Sequence, residues 1–107
     1  MSTFYKNAKA DLTSTAATSL YTTPTAKTAV FRSLLVSEDS GNADTITVTI
    51  TDADSAVFSL YKVKAVSANT TVELLSQPLV IEESEILKVT AATANRLHVV
   101  GSYVEIS

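Results

Sequence analysis

Thr45-Ile46-Thr47-Val48-Thr49-Ile50-Thr51 is the stretch that decides the fold. Ile46, Val48 and Ile50 fall on one side of an extended chain and the threonines on the other. The stretch therefore reads as a strand with one dry face and one wet face. A helix would scatter the isoleucines around its circumference and restrict the β-branched side chains at nearly every position. On both sides of it, shorter and noisier versions of the same pattern follow one another, separated by turns.

Upstream, Glu38-Asp39-Ser40-Gly41-Asn42-Ala43-Asp44 is a turn by composition, with Gly41-Asn42 able to take positive φ. Residues 28–37 before it form a strand with apolar side chains on both faces: Val30, Leu34 and Val36 on one, Ala29, Phe31 and Leu35 on the other. Either a β-bulge shifts the phase midway, or a neighbouring subunit buries both faces. Leu20-Tyr21-Thr22-Thr23 is a short strand closed by Pro24, which has no N–H to give to a ladder. Residues 4–12 read as a first edge strand, and residues 13–17 as a connection.

Downstream, residues 52–55 turn into a strand over 57–66 whose phase slips between Leu60 and Val63. Residues 67–70 turn into 71–75, and Pro78-Leu79-Val80-Ile81 is a short apolar strand followed by the acidic turn Glu82-Glu83-Ser84-Glu85. The spacing of Leu79, Glu82, Glu83, Ile86 and Leu87 also fits a helix, but Pro78 and the β-branched pairs favour strands. Residues 86–91 place Leu87, Val89 and Ala91 on one side. In the last strand, 96–106, Leu97 and Val99 share a face with Val104 and Ile106 only if Gly101-Ser102 forms a bulge. About eight short strands at roughly ten-residue spacing specify an all-β fold, a single antiparallel β-sandwich of jelly-roll-like form. Residues 1–17 are an N-terminal edge strand or arm, and residues 18–107 the sandwich domain.

At 107 residues the chain is one domain, burying roughly two-thirds of its extended surface. A hydrophobic content of 46% is too high for a disordered chain. Thr, Ser, Ala and Val make up about half of the residues, which favours pleated sheet over a thin core. No run approaches the roughly 18 apolar residues of a membrane span. Lys6, Lys9 and Asp11 interrupt the place where a signal peptide would be apolar. With no cysteine there is neither a disulfide nor a cysteine metal site, and synthesis in a cytoplasm is the simplest expectation. A net charge of −3 and eight scattered basic residues, no two adjacent, argue against a nucleic-acid surface.

Candidate chemistry is sparse. His98 is the only histidine, so one chain cannot build a histidine cluster or triad. Glu38, Asp39, Asn42 and Asp44 surround a glycine, but not at EF-hand spacing. Glu82, Glu83 and Glu85 have no tryptophan with them to line a glycosidase cleft and read as a solvated turn. Asn69-Thr70-Thr71 is a sequon without a secretory signal. The serines lack a nucleophile elbow, and two glycines cannot make a phosphate loop. Neither an enzyme nor a cofactor is expected. Among the aromatic residues, Phe4 and Tyr5 at a chain end are expected to be held, on this sandwich or on a neighbour. Tyr21 and Tyr61 lie in strands flanked by threonine or lysine, where the ring either faces out as an interface anchor or fills the core with a wet hydroxyl.

Three stretches carry a resemblance. They are Leu20-Tyr21-Thr22-Thr23-Pro24-Thr25-Ala26-Lys27-Thr28-Ala29-Val30, then Val66-Ser67-Ala68-Asn69-Thr70-Thr71-Val72-Glu73-Leu74, and Pro78-Leu79-Val80-Ile81-Glu82-Glu83-Ser84-Glu85-Ile86-Leu87-Lys88-Val89-Thr90-Ala91. With the Val104-Glu105-Ile106 ending, the chain from about Leu20 onward resembles small β-sandwich virion structural proteins of tailed bacteriophages, the head decoration and neck or tail accessory proteins. Glycines expected in the first and third turns are replaced by Thr25 or Ala26 and by Ser84.

The resemblance carries no catalytic residues. It implies a non-enzymatic virion subunit, first a capsid decoration or cement protein bound to the head shell in many copies. The alternative is a neck, tail or fibre-associated module, one form of which binds carbohydrate. The implied partners are phage capsid or other virion proteins and further copies of the chain in a homo-oligomer, with no nucleic acid and no membrane. The implied location is the virion, after synthesis in the host cytoplasm.

Overall fold

The computed structural model describes residues 2–107, all in strands and the turns between them. The strands are β1 (Thr3–Asp11), β2 (Thr18–Thr22), β3 (Thr28–Glu38), β4 (Asp44–Thr51), β5 (Val57–Val66), β6 (Thr70–Glu73), β7 (Leu79–Ile81), β8 (Ile86–Ala91) and β9 (Leu97–Ile106). They form two antiparallel sheets. One runs β1-β9-β3-β6 with β7 also on β3, and the other runs β2-β8-β4-β5.

The pairs β1 with β9, β2 with β8, β3 with β6 and β4 with β5 are those of one long hairpin. Wrapping that hairpin brings β9 beside β3 and β8 beside β4, which is the jelly-roll winding. Strands β6 and β7 lie end to end along β3, Val72 opposite Val36 and Val80 opposite Val30. They act as one edge strand broken over residues 74–78.

The opening stretch became β4 with the expected faces: Ile46, Val48 and Ile50 are buried. Its threonines are half-buried rather than fully wet, because β4 lies inside its sheet between β8 and β5. Leu87, Val89 and Ala91 of β8 join them from the same sheet, and Ala29, Phe31, Leu34, Val36, Leu97 and Val99 meet them from the other. The region 79–89 is strand, turn and strand.

Of the two readings of β3, the bulge is the one the chain adopts. Its register against β9 shifts between Phe31 and Ser33, so Ala29, Phe31, Leu34 and Val36 all point inward. One expectation is corrected. Strand β9 has no bulge at Gly101-Ser102, since its pairing with β1 is unbroken from Leu12's neighbour Asp11 opposite His98 to Thr3 opposite Ile106. Leu97 and Val99 therefore share the inner face with Gly101, Tyr103 and Glu105, while Val104 faces out. The Phe31 ring, 2.6 Å from where a Cβ on Gly101 would sit, fills the space a side chain there would take.

Candidate functional site

The inward position of Glu105 puts a carboxylate at one end of a dry interior, where it needs partners. It has three. The Tyr21 hydroxyl donates to Oε2 at 2.7 Å, and the Lys27 and Lys6 ammonium groups lie 3.3 and 3.4 Å from Oε1. Only 3% of Glu105 is exposed. The Tyr21 hydrogen bond holds the carboxyl below the usual carboxylate range against the upward push of burial, with Lys27 and Lys6 helping. Burial, and then the same carboxylate, drives the Tyr21 hydroxyl far above the ordinary phenol range. Burial and the charge of Glu105 also raise Tyr103.

The rings continue the cluster. Tyr21 meets Phe31 edge-on with centroids 5.4 Å apart, and Phe31 stacks on Tyr103 at 4.8 Å. The network joins β1, β2, β9 and the turn before β3. Its four polar groups pair with one another, the Glu105 carboxylate buried and the Lys6 and Lys27 ammonium groups reaching it from the partly exposed side.

A second carboxylate is tied down at the other end. Glu38 closes β3 on the inner face and accepts N–H bonds from Ser40, Gly41, Asn42 and Asn69 at 3.0–3.1 Å, besides the Ser40 hydroxyl. Burial pushes this carboxyl up, but the Ser40 hydroxyl and those backbone donors outweigh it and hold it at about 2. The bonds clasp the 38–44 turn to the 66–70 turn. Asp44 likewise accepts the Thr93 N–H at 3.1 Å. On the outer surface nearby, His98 lies between Asp11 at 3.2 Å and Asp39 at 3.6 Å. Among the described residues, no three His, Asp or Glu side chains are grouped to hold a metal ion.

The acidic turn is spent on backbone bonds too. Glu83 accepts the Ala26 N–H at 2.8 Å, and Glu85 accepts the Glu82 N–H at 2.7 Å.

The four aromatic residues singled out in the sequence do not come together. Tyr21 lies in the network just described. Tyr61 is half-buried and donates its hydroxyl to the Leu74 carbonyl, bracing β5 against the break between β6 and β7. Phe4 and Tyr5 lie on β1 and stay exposed, at 47% and 80%. Phe4 is on the inner side beyond the end of the core, with the Lys6 ammonium 5.6 Å from its ring centroid. Tyr5 is on the outer side.

Register makes Tyr5 the end of a row across the outer face of the five-stranded sheet. Tyr5 lies opposite Val104, Val104 opposite Val30, and Val30 opposite Val80. Leu35 opposite Val100 adds a second apolar pair. Arg32, extruded at the bulge, and Tyr5 wall a shallow groove of about 330 Å³ beside this row. Sequence reading did not find the row, because its members lie on four strands. It also missed Glu105, although the inward parity of Leu97, Val99 and Tyr103 was a signal that would have placed it.

The fold has counterparts. A structure of Bacillus endospore appendages, a family of disulfide-linked pili, matches with TM-score 0.59 over 98% of this chain and 88% of that chain, at 8% identity. A structure of infectious bursal disease virus, Gx strain, matches with TM-score 0.58 over 96% of this chain and 32% of that one, at 10% identity. A mutant VP2 protein of the same virus, in T=1 particles, gives 0.54 at 12% identity, over 96% of this chain and 31% of that one. This chain spans about a third of those viral chains, and at such identities the likeness is one of fold. No family model and no curated protein matches it.

Proposed function

We propose that this protein is a non-enzymatic virion subunit that binds the shell of a phage head in many copies, as a decoration or cement protein. The observation that carries the reading is the apolar row on the outer face of a sheet whose inner face already has a full core, exposed at its two ends, Tyr5 and Val80, half-buried at Val30 and covered at Val104. Apolar side chains arranged across four strands are stabilised when another protein covers them. The likeness in fold to a viral protein that forms T=1 particles and to a pilus protein supports a role in assembly. The pili are disulfide-linked, a link this cysteine-free chain cannot make. Its partners are capsid or other virion proteins and its own copies, its place is the virion, and its synthesis is in the host cytoplasm. Phe4 and Tyr5, on residues 1–17, are the interface anchors proposed, Tyr5 foremost because it is the most exposed; Tyr21 and Tyr61 of the 18–107 domain, whose hydroxyls are engaged inside it, would meet a partner only through their half-buried rings.

The groove between Tyr5 and Arg32 favours one further reading, a neck, tail or fibre-associated module that binds carbohydrate, since an aromatic ring beside a hydrogen-bond donor suits a sugar. Co-sedimentation of the purified protein with isolated heads and with isolated tails separates the two. Saturable binding to heads, lost in Val80→Asp with the fold intact, is the expected result. Failure to bind heads overturns the decoration reading, and glycan-array binding abolished by Tyr5→Ala would replace it with the second.

A further inference from the structure

Each sheet of an open sandwich ends in strands with unpaired backbone groups, and such edges pair with other chains unless something prevents it. Three of the edges here are blunted. Strand β2 is five residues long and slips register between Ser19 and Tyr21. Strand β5 slips twice against β4 and holds Val63 at a φ of 54°. The β6–β7 edge is broken over residues 74–78. Only β1 is long and regular, with nine residues in unbroken register on β9.

Ser2 and Ser107 exchange N–H···O bonds of 3.2 and 3.0 Å, and Leu12 N–H donates to Leu97 C=O at 3.0 Å. In an antiparallel ladder residues bonded to the neighbour alternate with residues whose backbone groups face away. The even-numbered residues of β1 are therefore bonded to β9. Thr3, Tyr5, Asn7, Lys9 and Asp11 turn their N–H and C=O groups to the free edge.

We infer that β1 is the site at which a second copy of this chain docks, strand to strand and antiparallel about a two-fold axis at Asn7. The inference rests on the reading of the protein as a subunit that assembles with its copies. The register that overlaps all nine residues sets Thr3 opposite Asp11, Tyr5 opposite Lys9, and Asn7 opposite Asn7. These residues turn their backbone groups to the edge, so both donors and acceptors find partners, the Asp11 C=O using its second lone pair because it already accepts the Thr13 N–H at 3.0 Å. The same register sets Phe4 opposite Ala10 and Lys6 opposite Ala8, opposes no two like charges, and lays the Lys9 stem and ammonium against the Tyr5 ring. A shift by one residue in either direction would pair bonded residues with free ones, and in one direction it would also oppose Lys6 to Lys9. The self-complementary register is what favours a second copy over an unrelated strand, and it joins two five-stranded sheets into one.

The chain has no cysteine, which makes the test clean. Bonded antiparallel partners have Cα atoms about 5.5 Å apart, inside the roughly 4.4–6.8 Å that a disulfide spans. Mild oxidation of full-length Asn7→Cys is expected to give a covalent dimer as the main product. Tyr5→Cys alone is expected to give none, because its copies would lie about 13 Å apart along the strands. Tyr5→Cys combined with Lys9→Cys should restore the cross-link. Asn7→Pro removes a donor that faces the free edge, so by light scattering the dimer should be lost while the circular dichroism stays that of a sheet. Oligomers that persist in Asn7→Pro, with no cross-link through Asn7→Cys, overturn this docking site yet leave a self-assembling subunit standing. A wild-type protein that stays monomeric at every concentration overturns it too, and head binding by that monomer would keep the decoration reading.

Discussion

Gly101 lies on the inner face of β9 under the Phe31 ring, and a single methyl group added there tests how the core is built. A Cβ at this position would lie 2.6 Å from Phe31 Cε2, 3.0 Å from Cδ2 and 3.4 Å from Leu34 Cδ1. Carbon atoms in contact prefer about 3.5–4.0 Å, so the ring must retreat by roughly 1 Å. It has little room to do so, being fully buried, stacked on Tyr103 and held edge-on by Tyr21. Overpacking of this kind costs about 1–3 kcal/mol. Replacing glycine within a strand returns about 0.5–1 kcal/mol of backbone entropy, so the strain wins. Gly101→Ala is expected to lose about 1–2 kcal/mol in urea unfolding at unchanged m-value, or roughly 4–15 °C in Tm. The double variant Phe31→Leu/Gly101→Ala vacates the contested space, and in that background the methyl should cost less by at least about 0.5 kcal/mol. An equal cost in both backgrounds, or a Gly101→Ala protein as stable as the wild type, would refute the close approach of ring and glycine.

Removing the Tyr21 hydroxyl leaves the buried Glu105 carboxylate one donor short, so Tyr21→Phe should cost about 1.5–3 kcal/mol in chemical denaturation. Tyr5→Phe, on an exposed ring, should stay within about 0.5 kcal/mol of wild type. Because the Glu38 carboxyl is held at about 2 against an ordinary 4.5, the unfolded chain takes up the proton first as pH falls. The stability it contributes is complete above pH 4.5 and is lost as pH falls toward 2. Glu38→Gln should therefore flatten the acid limb of a stability–pH curve, and an unchanged limb would count against the clasp. Ser84 holds a φ of 67° at the tip of the β7–β8 turn. Ser84→Gly should raise stability by about 0.5–1 kcal/mol, read as a higher urea midpoint.

What was legible in the chain was whatever a single strand records about itself. The alternation of residues 45–51 fixed the faces of β4, and the doubled apolar faces of β3 left a slip in phase or a covering neighbour as alternatives, of which the register shows the slip, at Arg32. The same logic failed at Gly101. A glycine on the dry face leaves no side chain to mark its side, so the pattern in β9 looked broken where the strand runs straight and a ring from β3 supplies the missing volume. Glu105 was hidden for a related reason. A charge on an inward position makes sense only with its partners, and Lys27 and Lys6 are 78 and 99 residues away in sequence. The outer apolar row drew on four strands at once, and the turn types waited on backbone angles that composition does not state.

Those angles bear on how the edges came to differ. Among the described residues, six that are not glycine, Ala26, Ser55, Val63, Asn69, Ser84 and Asn95, take positive φ in a chain that has only two glycines. Asparagine tolerates this conformation and the tight turns require it, so five of the six are the ordinary consequence of short connections. Val63 is different. It lies within β5, is β-branched, and is the residue type least suited to a left-handed backbone. Its strain is held in place by the Val63 N–H bond to Thr47 Oγ1 at 3.1 Å, from a threonine on the outer face of β4. The result is a kink that breaks the ladder of an exposed edge. A bend maintained at that expense in β5, while β1 in the other sheet stays straight over nine residues, is the asymmetry expected of a fold that closes its other edges to further chains and offers one.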